Sequence, residues 1–407
     1  VASLTGAEAP RFTRDRLTWL AYISLASYAF YLYALGPLLA FLHQELHLSY
    51  AVTSLHSTIF SVGAVVTGLT FDRVTRSWGR HRVFWLSAAA TVAGALLFFA
   101  GHQVAVTLPA AFVLGIGCTY LGAGCSVALA DRHGPQRDRA LLEGNVGASG
   151  TGVVVPALLG LLAGTAAGWR PALLLPVLTL GVLWVLLRHI ALPAPPAPAS
   201  AARRLPRGFW GPCGLVALAV GIEFTLIFYG VPLLHVSVGL STGAASIVLS
   251  LFVAGELAGR LVGARLTRRP GRAERVIGFA LVVAMAGFLV LWLGRLTVLS
   301  ALALFVTGLG VGNLYPLSLA LALGAGGGRT DQAMARTQVA VGVAIGTAPL
   351  LLGVLSDRVG VVRALTVEPA LIVTAALVLW LVVRAGRGGG GGAAPPRPAG
   401  GGAPPPA

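Results

Sequence analysis

Between residues 17 and 384 the chain is cut into twelve apolar runs: 17–42, 50–71, 83–101, 104–130, 140–163, 171–191, 209–234, 242–264, 275–294, 298–324, 333–355 and 364–384. Each is long enough to cross the hydrocarbon core of a bilayer as one helix, which needs about 20 apolar residues. Lipid offers no water to satisfy backbone N–H and C=O groups, so runs of this length must pair them internally as helices. The 54 glycines and 24 prolines do not argue otherwise, because small residues let helices approach closely in a membrane. Charged residues make up 10 % of the chain, against about 25 % in a soluble domain. The predicted fold class is an all-α membrane protein with twelve transmembrane helices in two pseudo-symmetric six-helix bundles, with the lipid bilayer as its solvent.

All 29 basic residues are arginine. Without lysine the chain holds neither a P-loop nor a Schiff-base site for pyridoxal or retinal, and no cofactor is expected. A net charge of +16 would suggest nucleic acid in a soluble protein, but here the arginines sit between apolar runs, where they set orientation, and no nucleic-acid partner is expected. With the first segment inside, 25 arginines fall on the inner side and only Arg170, Arg295, Arg358 and Arg363 fall outside. Both termini are therefore expected in the cytoplasm. Arg11, Arg14 and Arg16 precede a run too long for a signal peptide, which reads as the first membrane helix. Cys118, Cys125 and Cys213 lie within apolar runs and form no CxxC pair.

The Pro/Ala-rich stretch 193–208 carries three arginines and reads as a cytoplasmic linker. It divides an N-terminal six-helix bundle, 1–192, from a C-terminal one, 209–385, and the Gly/Pro-rich tail 386–407 is expected to be disordered. An internal repeat supports that division. Shifting by 192 residues places Arg73, Arg76, Gly79 and Arg80 on Arg265, Arg268, Gly271 and Arg272. A shift of 193 places Gly115 and Gly117 on Gly308 and Gly310, Asp138 on Asp331, Asn145 on Gln338, Pro156 on Pro349, Gly160 on Gly353 and Arg170 on Arg363. Two parallel repeats around a central solute site are the architecture of a rocking transporter.

Over residues 11 to 385 the chain resembles the major facilitator superfamily. The loop between helices 2 and 3, which in that family resembles G-x-L-x-D-R-x-G-R-R, reads Gly68-Leu-Thr-Phe-Asp72-Arg73-Val-Thr-Arg-Ser-Trp-Gly79-Arg80, with the second glycine displaced by four residues. Gly168-Trp169-Arg170 and Pro349-Leu-Leu-Leu-Gly353-x-Leu-x-Asp357-x-x-Gly360 are further family-like features. Asp72 can pair with arginines such as Arg73 and Arg80 and sit near the positive N-terminus of a neighbouring helix, latching the cytoplasmic side. The resemblance implies that such a latch stabilises the outward-open state, whereas the alternative is that these arginines serve orientation alone. Ala264 replaces the aspartate in the second half. Two signatures are absent: the helix 4 arginine of the drug/proton antiporters and the helix 1 or helix 4 acid of many sugar symporters.

Ionisable groups at membrane depth are functional candidates because they are costly there. Glu256 and Arg260 lie one turn apart on one face of helix 8. The acid can exchange a proton while the guanidinium binds a carboxylate; the alternative is a structural or gating ion pair. This pair, with Arg139-Ala-Leu-Leu-Glu-Gly144 leading into helix 5, is similar to the monocarboxylate-transporter branch of the family. Glu223 in helix 7 is a second candidate proton carrier, set against a simple hydrogen-bonded acid, and His56 in helix 2 is a third, set against a packing role.

Polar and aromatic groups on the central helices are candidates for lining a substrate site: Tyr28, Tyr31, Tyr120, Asn145, Phe228, Asn313, Tyr315 and Gln338, with Arg260. The alternative for the tyrosines near span ends is anchoring at the lipid interface. Glu143 and Arg336 occupy equivalent repeat positions and are expected to close a cytoplasmic gate as a salt bridge. His43 and His47 lack a third ligand nearby in sequence, and no metal is expected. No catalytic constellation is present, so an enzyme is not expected. The expectation is a monomeric secondary transporter in a bacterial inner membrane, moving a small organic solute, an organic anion or monocarboxylate foremost, with protons. Drug or metabolite efflux and a non-transporting receptor or scaffold are the rival readings.

Overall fold

The computed structural model describes residues 12–193, 205–267, 272–327 and 330–389. Twelve helices among them are long and apolar enough to cross a membrane: α1 Arg16–Glu45, α2 Tyr50–Trp78, α3 Arg80–Ala100, α4 Val104–His133, α5 Arg139–Ala163, α6 Arg170–Leu187, α7 Arg207–Val238, α8 Thr242–Leu266, α9 Ala273–Leu293, α10 Thr297–Ala325, α11 Gln332–Val359 and α12 Val361–Ala385. All twelve sequence-predicted spans appear, their ends shifted by a few residues. Residues 386–389 of the predicted tail continue the last helix rather than being disordered, and the rest of that tail and the centre of the predicted linker lie outside the described residues.

Local sequence sets the helix ends. Ser49 and Ser241, 192 residues apart, cap α2 and α8 by accepting from Val52 N and Ala244 N, each at 3.2 Å. Gly239 ends α7 in the left-handed region at φ 78°, which an L-residue with a Cβ adopts only at a cost. Within the membrane, burial separates central from peripheral helices. The most apolar windows of α1 and α7 are each 83 % buried, those of α6 and α12 only 28 % and 22 %. The former are the inner posts of the two bundles, and the latter face lipid.

The repeat seen in the sequence is a repeat of backbone contacts. A Cβ at Gly115 would lie 2.3 Å from Phe60 O, and one at Gly308, 193 residues later, 2.0 Å from Phe252 O. Gly117 on Thr91 and Gly310 on Ala284 repeat the pattern, as do Gly94 on Leu114 and Gly287 on Thr307. Glycine is required because the helix backbones themselves touch at these crossings.

Between the bundles, α5 meets α8 at Gly160 and Gly243, and α11 meets α2 at Gly353 and Tyr50. Hydrogen bonds joining the bundles include Ser246 Oγ to Pro156 O, Ser54 Oγ to Tyr229 Oη, Thr58 Oγ1 to Gly346 O and the Asp357 carboxylate to α2. All lie towards the end of the molecule that carries few arginines. At the arginine-rich end Asp72, Asn145, Arg336 and Gln338 are exposed. The molecule is thus closed at its arginine-poor end.

Candidate substrate and proton site

The α8 sequence Gly255-Glu256-Leu-Ala-Gly259-Arg260-Leu-Val-Gly263 presents a glycine every fourth residue. Those glycines let α8 lie directly on α10: added Cβ atoms at Gly255 and Gly259 would meet Phe305 O at 2.1 Å and Leu309 O at 2.3 Å. Glu256 and Arg260 each follow a glycine and are carried on the same crossing. Here α10 is broken: it runs helical to Val311, turns at Gly312–Asn313 and resumes at Leu314. Pro316 has no N–H to give the Gly312 carbonyl four residues back. Arg260 Nε donates to that carbonyl at 3.3 Å.

Around Arg260 four elements converge. Its Nη1 donates to Ser149 Oγ of α5 at 3.0 Å, and its Nη2 approaches Glu223 Oε1 of α7 at 3.5 Å and Glu256 Oε2 at 4.0 Å. The Tyr33 phenol of α1 interacts with the guanidinium, its ring lying over Gly152. Glu223 and Glu256 are mutual neighbours. Side-chain exposure grades from 27 % at Arg260 through 9 % at Glu223 to nil at Glu256. No hydrogen bond reaches either Glu256 oxygen among the described residues.

Magnitude distinguishes this cluster from the other ion pairs. Arg14 meets Glu143 at 2.8 Å and Arg170 meets Glu45 at 2.8 Å, the range of charge-assisted hydrogen bonds. The two Arg260 contacts, at 3.5 and 4.0 Å, are long. Two carboxylates and one guanidinium at membrane depth leave an unbalanced negative charge, which low-dielectric surroundings penalise until a proton or another cation joins them.

The other candidates divide. Tyr315 and Tyr28 lie near the cluster, Tyr315 within electrostatic reach of Glu223 and Arg260 and Tyr28 beside Tyr315. Asn313 is buried and donates to Gly259 O at 2.7 Å, tying α10 to α8. Tyr31 turns into its own bundle and donates to Leu173 O at 2.9 Å, so it does not face the cluster. Tyr120 bonds Thr70 Oγ1 at 2.6 Å, between α4 and α2. Asn145 donates to Leu141 O one turn back, and Phe228 packs on Phe224 and lines a small cavity with His43 and Tyr229. His56 is held inside the first bundle: its Nδ1 reaches Val52 O at 3.1 Å, so Nε2 accepts from Thr107 Oγ1 at 2.9 Å. The surface cavity of about 610 Å³ at the arginine-poor end, lined by His43, Gln44, His47 and His235, is separate from the charges.

Neither expected gating contact is made in this structure, whose arginine-rich end is open. Glu143 pairs with Arg14, Arg139 and Tyr22 of its own bundle rather than with Arg336. Asp72 pairs with Arg76 on its own helix, Arg73 is exposed, and Arg80 pairs with Asp131 of α4 and donates to Pro193 O. No sequence pattern signals a role for Tyr33, whereas the proline four residues on does signal the Gly312 carbonyl as a free acceptor. Glu368 of α12, another acid not singled out by sequence pattern, is fully buried with neither oxygen hydrogen-bonded among the described residues.

The Major Facilitator Superfamily model matches residues 21–349 and 213–400. Among solved structures, a bacterial homolog of the human lysosomal transporter Spinster, inward-facing and unoccupied, superposes with TM-score 0.71 at 13 % identity, covering 90 % of this chain and 95 % of that one. The occupied inward-facing form of that homolog gives TM-score 0.69 at 15 % identity with the same coverage. A variant of the nucleoside transporter NupG gives 0.68 at 13 % identity, covering 90 % of this chain and 98 % of that one. No curated protein matches the chain by sequence.

Proposed function

This chain belongs to the major facilitator superfamily and is a secondary transporter rather than an enzyme, and we propose that it moves a small organic anion together with protons. The observation that carries this reading is the looseness of Arg260 between two carboxylates, at 3.5 and 4.0 Å. A proton arriving at Glu223, the more exposed acid, passes to or is shared with Glu256 and removes one of the guanidinium's counter-charges. Arg260 is then able to take a substrate carboxylate in its place, with Ser149 and Tyr33 as neutral donors beside it. Loaded with one further proton and one anion, the cluster carries no more net charge than before, which is what crossing a low-dielectric midplane requires.

The arginine-rich end is the cytoplasmic one by the 25 to 4 division of arginines, so the structure is inward-open with both termini inside. A bacterial inner membrane and a monomer fit this reading, with residues 1–192 and 209–385 as the moving bundles and 193–208 as their link. Tyr28, Tyr33 and Tyr315 beside the cluster favour a second reading, export of amphipathic metabolites or drugs. Proton flux into dye-loaded proteoliposomes, challenged in turn with carboxylates, sugars, amino acids and lipophilic cations, separates the two. Flux driven by carboxylates, abolished by Arg260→Ala and by Glu256→Gln, is the expected result. Flux driven by lipophilic cations would replace the anion reading with the export one. No counterflow of any solute would point to a receptor or scaffold instead.

A further inference from the structure

The sequence Gly68-Leu-Thr-Phe-Asp72-Arg73 near the end of α2 has a counterpart in Gly353-Val-Leu-Ser-Asp357-Arg358 near the end of α11, with glycine, aspartate and arginine at the same spacing. The two helices run antiparallel against each other, joined by Thr58 Oγ1 to Gly346 O at 2.6 Å and by Gly342 beside Val65. Each motif therefore lies at the C-terminal end of one helix and beside the N-terminal end of the other, at opposite ends of the molecule.

In this structure the two are in opposite conditions. Asp357 Oδ1 accepts from Tyr50 N at 2.7 Å and Oδ2 from Ala51 N at 2.9 Å. These are N–H groups of the first turn of α2, which have no intrahelical acceptor, and Ser49 already serves Val52. Gly353 makes the approach possible, since a Cβ there would stand 2.7 Å from Tyr50 O and 2.8 Å from Ser54 Oγ. At the other end Gly68 faces open space, and Asp72, 74 % exposed, is occupied by Arg76 of its own helix. The same short sequence is engaged across the bundle interface where the molecule is closed and disengaged where it is open.

We propose that Asp357, seated by Gly353 on the N-terminus of α2, is the latch that holds the arginine-poor end shut and is released when the transporter changes state. The carboxylate joins helices of different bundles through two hydrogen bonds and the positive end of the α2 dipole, so it stabilises the closed arrangement and contributes nothing once α2 and α11 separate there. The proposal rests on the alternating motion of the transporter and is independent of its substrate.

Spin-label distance measurements on the full-length protein in lipid nanodiscs test it without any solute. One pair of labels, on Gln103→Cys and Val359→Cys, reports the arginine-poor end. A second, on Ser77→Cys and Ala335→Cys, reports the arginine-rich end. All four positions are exposed, and the three native cysteines are buried and replaced. Asp357→Ala is expected to raise the ratio of long to short Gln103–Val359 distances by roughly five- to tenfold, the scale of losing a helix-capping side chain, and to shorten the Ser77–Ala335 distance in the same molecules. Gly353→Ala keeps the charge but blocks the approach, and should shift both distances in the same direction if Asp357→Ala proves unable to fold. Unchanged distributions in a folded Asp357→Ala protein, or a lower melting temperature without a shift in either distance, would make Asp357 a static cap and overturn the proposal. Because no solute is present, a failed latch and a failed anion site give separate results.

Discussion

The two bundles share their scaffold and differ in their chemistry. Gly115 on Phe60 and Gly308 on Phe252 are the same crossing, displaced by 193 and 192 residues. At a displacement of 192, however, Glu256 and Arg260 correspond to Ala64 and Gly68. Backbone contact between helices can be met only by glycine and so recurs wherever the crossing recurs. A buried charge costs about 3 kcal/mol or more at a helix centre by insertion scales, and no helix crossing requires it to recur. The second bundle therefore carries the charges, and the first supplies a neutral wall, Ser149 and Tyr33, that closes on them.

The sharpest break of this comparison is Arg260→Ala. It should abolish solute-dependent proton flux while leaving Glu223 and Glu256 facing each other, at a cost of roughly 2–3 kcal/mol, less than for a fully buried pair because the guanidinium is 27 % exposed. Melting in detergent would check the second part: adding Glu256→Gln should recover stability without recovering flux. Next in size, Gly115→Ala and Gly308→Ala should destabilise to similar degrees, about 1–3 kcal/mol each by overpacking. Only Gly308→Ala should also impair transport, since its added Cβ would meet Glu256 N at 3.0 Å. Equal transport losses for both would mean that the chemistry is not confined to the second bundle.

A smaller effect is expected at His56, whose ring joins Val52 and Thr107 within the first bundle. His56→Gln should cost about 1 kcal/mol of stability and leave the pH profile of flux unmoved; a displaced profile would restore His56 to the proton path. The smallest concerns Asp15, just before α1. Burial raises its carboxyl, but hydrogen bonds from Thr18 and Arg132 outweigh this and hold it below the ordinary aspartate range. A lowered folded value means that its contribution is complete above the ordinary aspartate value of about 4 and is lost as pH falls through the folded one. Wild type should therefore lose its melting advantage over Asp15→Asn in acid, by no more than about 1 kcal/mol for so exposed a pair.

Much of the molecule was legible from residue pattern. Twelve spans, the repeat and the Glu256–Arg260 pair all came from spacing, because a helix satisfies its own backbone and its faces follow from a period of 3.6 residues. Glu143 and Arg336 show where that reasoning stops. They occupy equivalent positions and carry opposite charges, yet in this structure Glu143 is bound by Arg14, 129 residues away in its own bundle. Tyr31 and Tyr33 make the same point on a single helix. Both are tyrosines of α1, but one turns to the Leu173 carbonyl and the other to Arg260. Nothing in their spacing says which side of α1 meets which neighbour.

What the sequence determined by itself was the number of helices, the asymmetry of the arginines and the glycine seams, all consequences of length, charge and backbone contact within a segment or between adjacent ones. Tertiary structure alone decided that α1, α5, α7 and α8 converge on one guanidinium, and that Asp357 rather than Asp72 is engaged. The physical reason is range. Helix formation is settled over a few residues, whereas an ion pair or a cap across two bundles exists only when rigid bodies bring its partners within about 4 Å, and a transporter changes that separation as it works.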